Sequence, residues 1–241
     1  KSSLAKGFTQ QSAEVGLTQT LILGSCLEPQ ESKGMGGPLS HFTFAQFQFI
    51  LKAADCLSLP VYKGSTLRGG FGHAFKRVVC INRERICGSC LLKEKCVYSY
   101  VFETPPPSNT LKMRKYPFAP HPFIVTPPLE EKRTYREGET LCFELTLIGK
   151  SIDFLPYFIY TFDELGKIGI GRGKGHYHLV EVRGIQPSEE PTGKGNENVL
   201  IYSGKDKTLR NNFRVLKIDD LPPLPPSPIS STLHLKFLTP T

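Results

Sequence analysis

Apolar residues alternate with polar or small residues in several stretches of the chain, and this alternation predicts strands that bury one face. The first stretch runs from Phe42 to Leu51, and a slip near Ala45 and Gln46 predicts a bulge. Further strands are predicted at about 123–126, Leu141–Leu147 and about Tyr177–Val182. Residues 199–218 predict a further hairpin.

Two segments follow the helical period instead. Ser65 belongs to the residue types that cap helices, and an apolar stripe from Leu67 to Val78 predicts a helix that ends at about Val79. Leu155 to Leu165 predicts a second helix. The resulting order is strand, helix, insertion, strands, helix, glycine-rich loop and strand. This order predicts an α+β protein with the ferredoxin-like βαββαβ plan.

Changes in composition divide the chain into an extension, a domain, a linker and the start of a second domain. These parts are an unassigned extension at 1–40, a ferredoxin-like domain at 41–218 with a cysteine-rich insertion at 80–97 and a glycine-rich loop at 166–175, a Pro-rich linker at 219–231 and a strand at 232–241. Met35 is an alternative start for the protein. A single alternating strand after a linker suggests a second domain that is cut off at its start.

The net charge of the chain indicates which kinds of partner it binds. The chain has 241 residues and a formal net charge of +8, with a pI of about 9.1. Such a balance favours nucleic acid or an anionic surface, although it also occurs in ordinary basic proteins. No stretch approaches the roughly 20 apolar residues of a membrane helix, so no membrane association is expected. The seven cysteines are odd in number and clustered, which favours a metal site in a reducing cytoplasm over disulfides.

Four cysteines have the spacing of a metal site, Cys80-x6-Cys87-x2-Cys90-x5-Cys96. A C-x2-C turn presents two thiolates to one ion, and two flanking thiolates complete a closed shell with sulfurs about 2.3 Å from zinc. Nearby cations favour ionised thiols; they are Arg83, Arg85, Lys93 and Lys95. We therefore expect a structural zinc ion, with an iron–sulfur cluster or reduced surface cysteines as the alternatives.

The glycine-rich segment 166–175 superficially resembles a dinucleotide-binding motif. That motif must follow a strand and open a helix, whereas this segment follows a predicted helix and opens a strand. Cations are interleaved with the glycines; they are Lys167, Arg172, Lys174 and His176. Glycines that allow close approach, together with cations, favour contact with a sugar–phosphate backbone. The alternative is a flexible, solvated loop.

His73 is the candidate for acid–base chemistry. It shares the polar face of the first predicted helix with Lys76 and Arg77, and Gly69 and Gly70 precede it by one turn. Metal-independent RNA cleavage needs a group that moves protons near neutral pH and a cation that stabilises the phosphorane. A solvated histidine on a polar helix face is the alternative. We also expect Lys63, Arg68 and Arg77 to contact RNA, whereas His41, His121 and His178 have no comparable surroundings.

An ordered set of sequence pieces resembles the RAMP superfamily and, more narrowly, the CRISPR pre-crRNA-processing endoribonucleases. The pieces are Leu59-Pro60, Gly64-Ser65, Leu67-Arg68-Gly69, Phe71-Gly72, the four cysteines followed by Tyr98 and Phe102-Glu103, Gly169-x-Gly171-Arg172-x-x-Gly175, and the final Leu235 to Thr241. The resemblance covers about residues 41–241 and implies tandem ferredoxin-like domains. It also implies metal-independent cleavage of repeat RNA and retention of the crRNA for an effector complex.

The resemblance also assigns roles to single residues. It places the catalytic histidine of the family at His73, and it implies that Tyr62 and either Lys76 or Lys63 assist. The chain departs from the family in two respects, because most of the second domain is missing and residues 1–40 match nothing.

Two other functions remain open. One is a non-catalytic RAMP subunit that binds crRNA in a type III effector complex, although such subunits carry one RAMP core and no second domain. The other is a zinc-stabilised nucleic-acid-binding protein without a CRISPR role.

Overall fold

A computed structural model of the chain describes residue 39 and residues 41–82, 86–104, 118–186 and 197–221. Apart from Leu39 and residues 219–221, the predicted extension at 1–40, the linker at 219–231 and the strand at 232–241 lie outside the described residues. In the described part of the chain, no helix has the length and apolarity of a membrane span.

The described elements alternate between strands and helices. The strands are β1 (Thr43–Ala53), β2 (Leu57–Ser58), β3 (Phe123–Thr126), β4 (Thr134–Tyr135), β5 (Thr140–Ile148), β6 (Tyr177–Gln186), β7 (Glu197–Ser203), β8 (Thr208–Leu209) and β9 (Leu216–Lys217). The α-helices are α1 (Gly64–Val79) and α2 (Leu155–Ile168). Short helical turns occupy Lys93–Lys95, Ser99–Glu103, Gly149–Phe154 and Ile218–Asp220.

One antiparallel sheet organises the protein, with the strand order β3-β5-β1-β6-β7-β8. The chain returns after β8, and β9 pairs with the beginning of β1 at Thr43 and Phe44. Strands β2 and β4 form a separate two-stranded sheet. The combination of helices with an antiparallel sheet confirms the predicted α+β class. The predicted hairpin at 199–218 is present as β7 and β8, and β9 extends it back to the sheet.

The two helices pack on the same face of the sheet. Phe49 of β1 lies on that face, with its ring centroid 5.1 Å from that of Phe162 in α2. Phe71 of α1 stacks on both Phe158 and Phe162, at 4.9 and 4.8 Å between centroids. Because these rings are fully buried, the aromatic residues of α1 and α2 fix the two helices against each other and against β1.

The structure corrects two details of the predicted elements. The pairing of β1 with β5 is unbroken from Phe44 to Lys52, and the irregularity of β1 lies between Ile50 and Leu51, where it pairs with β6. Ala45, rather than Phe44, lies on the buried face of β1. The spacing of the phenylalanines therefore suggested a slip at a point where the strand is regular. Helix α1 begins at Gly64 after Lys63, which has no capping side-chain bond, and Ser65 is exposed in the first turn.

Candidate nucleic-acid interface

A groove separates the beginning of α1 from the segment that follows α2. Its volume is about 630 Å³, and its walls include Pro60, Thr66 and Gly70 on one side and Gly169, Arg172 and Lys174 on the other. Helix α2 continues to Ile168, so Gly166 and Lys167 of the predicted loop are helical. The loop proper is residues 169–176, which we call the glycine hairpin.

The glycine hairpin is held in place by backbone hydrogen bonds. The Ile170 N–H donates to the Gly175 carbonyl at 2.9 Å and closes the hairpin. The Arg172 N–H donates to the Ser58 carbonyl at 2.9 Å and attaches the hairpin to β2. These bonds give the hairpin a defined position beside α1, with Arg172 and Lys174 among the residues that line the groove.

Most glycines of the hairpin allow the chain to approach itself. A Cβ at Gly169, Gly171 or Gly175 would lie 2.1, 2.2 or 2.5 Å from the backbone oxygens of Lys174, Ser58 and Cys56, respectively. Gly173 differs, because it has a φ of +86° and nothing within 4 Å of a Cβ position. Internal packing therefore accounts for three of these glycines, and Gly173 alone leaves open space at the tip of the hairpin.

The cations of the predicted loop have different surroundings. Arg172 and Lys174 are exposed and line the groove. Lys167 instead forms ion pairs on α2 with Asp163 at 3.5 Å and Glu164 at 2.5 Å. Its charge is thus balanced by carboxylates, and it lies outside the residues that line the groove. The groove therefore receives two cations from the hairpin, Arg172 and Lys174.

His176 is tied to a carboxylate that the sequence did not indicate. Its Nδ1 lies 2.7 Å from Oδ2 of Asp55, and its backbone N–H donates to Oδ1 at 2.7 Å. These hydrogen bonds lower the pKa of Asp55 below its ordinary value. Because the two residues are 121 positions apart, no local pattern could have predicted the pair.

The face of α1 that lines the groove leads to His73. Thr66 and Gly70 belong to the groove, and His73 lies three residues after Gly70 on the same helix face. The His73 side chain is exposed and has no hydrogen-bond or ion-pair partner among the described residues. Gly70 lies against α2, since a Cβ there would be 3.3 Å from Leu165, whereas Gly69 faces open space.

Lys76 belongs to different surroundings from those predicted. Its Nζ lies 5.0 Å from the centre of the Tyr98 ring and beside the Cys87 thiol. Burial alone would lower the pKa of Lys76, but Cys87 and Tyr98 raise it above its ordinary value. Arg77 is exposed on the same helix. The contacts of Lys76 therefore connect α1 with the cysteine segment.

The lysine predicted to contact RNA at position 63 is inside the protein. Lys63 has 0% exposure, and its Nζ donates to the carbonyls of Glu130 at 2.8 Å and Val61 at 3.2 Å. Burial lowers its pKa, although the Glu130 carboxylate acts in the opposite direction. The prediction of RNA contact was therefore wrong for Lys63, because a buried amine that satisfies backbone carbonyls cannot reach a phosphate.

Tyr62 and Arg68 also contact other parts of the protein. The Tyr62 ring covers Gly64, where a Cβ would lie 2.5 Å from the tyrosine oxygen. The Arg68 guanidinium carbon lies 4.9 Å from the centre of the Phe123 ring. None of the described contacts of Tyr62, Lys63 and Lys76 involves His73. The catalytic set implied by the resemblance is thus not assembled around His73 in this structure.

The four predicted zinc ligands line one small cavity of about 20 Å³, together with Lys93 and Tyr98. The Cys90 N–H donates to the Cys87 carbonyl at 3.3 Å, which forms the expected tight turn. Burial raises the pKa of the Cys87 thiol. Within the described ranges, no three His, Cys, Asp or Glu side chains are arranged to hold a metal ion. The cysteines thus have suitable chemistry and share one space, but their sulfurs are not placed as ligands.

Two solved structures of CRISPR proteins show partial similarity to this chain. A chain from the Csm3–Csm4 subcomplex in the type III-A CRISPR-Cas interference complex is 17% identical, with a TM-score of 0.43; the match covers 70% of this chain and 94% of that chain. A Cas6 product complex is 19% identical, with a TM-score of 0.32, and the match covers 58% of this chain and 39% of that chain. Neither similarity assigns a function to this chain.

A curated relative and a protein family match at the level of sequence. An uncharacterized protein from Archaeoglobus fulgidus is 26% identical over 182 residues, which are 76% of this chain and 56% of the relative. The chain thus spans little more than half the length of that relative. The family described as AF_1859_N, an N-terminal domain, matches residues 42–213. Because this match includes every described strand from β1 to β8 and both α-helices, the chain belongs to the AF_1859_N family of N-terminal domains.

Proposed function

We propose that this chain binds CRISPR repeat RNA along the groove between α1 and the glycine hairpin, and that it takes part in cleaving this RNA within the longer protein. The observation that carries the proposal is the groove itself. Arg172 and Lys174 lie on one wall, and Thr66 and Gly70 of α1 lie on the other, on the helix face that leads to His73. Two exposed cations beside a concave surface suit a phosphodiester backbone, and Gly173 at the hairpin tip permits close approach.

We further propose that the sheet and its helices form a ferredoxin-like domain of the RAMP type. The strand order β3-β5-β1-β6, with α1 after β1 and α2 after β5, supports this proposal, since it is the order expected of the βαββαβ plan. Several of the sequence pieces that resemble the RAMP superfamily lie in the elements that form the groove. They include Leu67-Arg68-Gly69 in α1 and Gly169 to Gly175 in the glycine hairpin.

The proposed reaction needs no metal ion. A ribose 2′-hydroxyl loses its proton and attacks the adjacent phosphorus, the bond from phosphorus to the 5′-oxygen breaks, and that oxygen receives a proton. The products end in a 2′,3′-cyclic phosphate and a 5′-hydroxyl. His73 is the proposed proton-transfer group, since imidazole exchanges protons near neutral pH. Arg172 and Lys174 supply positive charge for the phosphorane.

A second candidate function is RNA binding without cleavage, as a RAMP subunit of a type III effector complex. One observation favours it: Lys63 is buried and Lys76 contacts Tyr98, so the residues implied to assist His73 are engaged elsewhere. The His73 side chain also has no orienting partner among the described residues. A general base is ordinarily oriented by a third group, so its absence weakens the case for catalysis.

We also propose that Cys80, Cys87, Cys90 and Cys96 bind a structural zinc ion. Their shared cavity and the C-x2-C turn support this assignment. In such a site, four thiolates would form a closed shell and order a segment whose apolar residues are largely exposed. The exposed residues are Ile81, Ile86, Leu91 and Leu92.

An assay of repeat-RNA cleavage, made with a longer protein that includes this chain, distinguishes the two proposed functions. We expect His73→Ala to slow cleavage by about 10²–10⁴-fold while RNA affinity stays unchanged. The matched control is His178→Ala, because His178 is exposed on β6 and outside the groove. If the parent protein binds repeat RNA but never cleaves it, the non-catalytic function is supported. If it does not bind this RNA, the whole proposal is wrong.

A further inference from the structure

A second concave site lies beside the cysteine segment. It is a cavity of about 690 Å³ between this segment, the helical turn at Ser99–Glu103 and the residues that lead into β3. Its walls include Lys93, Phe102, Glu103, Phe118, Pro120 and His121. Its volume falls within the usual range of small-ligand sites, about 300–1,000 Å³. We call it the His121 cavity; among the described residues, none lines both this cavity and the groove.

The apolar wall of the His121 cavity is formed by aromatic rings. Phe102 is fixed from behind, with its ring centroid 5.8 Å from those of Phe71 and Phe75 in the core. Phe118 is 59% exposed beside the cavity. An exposed aromatic ring next to open space offers a surface on which another flat ring can stack.

His121 provides a hydrogen-bond acceptor in this cavity. Its Nδ1 lies 3.2 Å from the carbonyl oxygen of Val101. A carbonyl can only accept, so Nδ1 carries the proton, and Nε2 of the neutral ring is left as an acceptor. Burial and the nearby Arg68 guanidinium lower the pKa of His121, which favours the neutral ring. A ligand that reaches Nε2 of the neutral ring would donate a hydrogen bond to it.

One cation and one carboxylate line the His121 cavity, and a second cation lies near it. Lys93 lines it and lies 3.9 Å from Glu103, and Arg68 lies against Phe123 close to His121. Aromatic rings combined with lysine and arginine are typical of single-stranded nucleic-acid sites, where bases stack and phosphates meet cations. A nucleobase has a flat ring that can stack on the aromatic side chains and an edge that can donate a hydrogen bond to His121. The negatively charged backbone attached to the base suits the nearby cations.

We propose that the His121 cavity binds one unpaired nucleobase of single-stranded RNA, which stacks on Phe118 and donates a hydrogen bond to Nε2 of His121. This inference rests on the proposed function, because it assumes that the chain binds RNA. It adds a second contact with RNA, separate from the backbone contacts of the groove. Only an unpaired nucleotide can place its base in such a site. Binding of that one base would therefore fix the position of the RNA strand along the protein.

A double-mutant experiment tests the His121 cavity. The probes are single-stranded RNAs of about ten nucleotides, a length within the range of single-strand sites, in which an abasic nucleotide replaces each position in turn. For the unmodified chain, we expect one position at which the missing base weakens binding by about five- to a hundred-fold. In Phe118→Ala, the same abasic replacement should have no further effect.

The control is Leu129→Ala, because Leu129 is another exposed apolar residue, with 65% exposure, outside the cavity. It should respond to every abasic probe as the unmodified chain does. If RNA binds but no abasic position is coupled to Phe118, the proposal that the cavity binds a base is wrong. If the unmodified chain does not bind any of the RNAs, the proposed function fails together with the inference.

Discussion

Replacing Gly171 with alanine tests how firmly the glycine hairpin is attached to β2. Gly171 has a φ of +71°, a conformation that costs a residue with a Cβ about 1–2 kcal/mol. The new Cβ would also lie 2.2 Å from the Ser58 carbonyl oxygen, and such overpacking typically costs about 1–3 kcal/mol. We therefore expect Gly171→Ala to reduce the free energy of unfolding by about 2–5 kcal/mol.

Gly173→Ala is the matched control for this substitution. Gly173 also has a positive φ, of +86°, but nothing lies within 4 Å of its Cβ position, so only the conformational cost of about 1–2 kcal/mol applies. Urea unfolding of both variants measures the difference, and amide exchange shows whether the Arg172 N–H has lost the Ser58 carbonyl. Equal destabilisation of the two variants, with the Arg172 amide still protected, would refute the close packing of the hairpin on Ser58.

Three further substitutions test other parts of the structure. Lys63→Met removes the donor to two backbone carbonyls, so urea unfolding should show a free energy of unfolding lower by about 1–3 kcal/mol. The salt dependence of RNA binding should not change, and a reduced salt dependence would contradict the internal position of Lys63. Cys90→Ser should lose bound zinc in elemental analysis, whereas Cys56→Ser, outside the cysteine cavity, should retain it; unchanged zinc in Cys90→Ser would rule out the proposed site. Because hydrogen bonds from His176 lower the pKa of Asp55, its carboxylate stabilises the fold above its ordinary pKa of 3.8, and this contribution is lost as the pH falls below that value. Asp55→Asn should therefore flatten the acid-induced decrease in Tm, and an unchanged acid limb would show that the pair contributes nothing.

Periodicity predicted the main elements of the fold because each of them has one buried face. The alternation in β5 and the stripe in α1 arise from burial against the same core, so residue spacing alone located both. The short strand β3 lies where the sequence placed it, at Phe123–Thr126. The bulge was misplaced because Ala45 is small and Phe44 lies on the other face of β1.

The surroundings of single side chains could not be predicted in the same way. Nothing in the sequence around Lys63 distinguishes it from an exposed lysine. The Glu130 carbonyl to which its Nζ donates lies 67 residues further along the chain. The glycines of the hairpin indicated a close approach, and only the structure shows that Ser58 is the group that approaches Gly171. In both cases, contacts distant in sequence decided the role of the residue.

The affinity for repeat RNA at several salt concentrations tests most directly whether the groove binds RNA. The proposed function predicts that Arg172→Ala and Lys174→Ala each weaken binding and each reduce the slope of log affinity against log salt by about 0.7, the value for one contact with a single strand. Lys167→Ala should leave both quantities unchanged, because Lys167 is paired with Asp163 and Glu164. Slopes of Arg172→Ala and Lys174→Ala equal to that of the unmodified chain would contradict RNA binding by the groove.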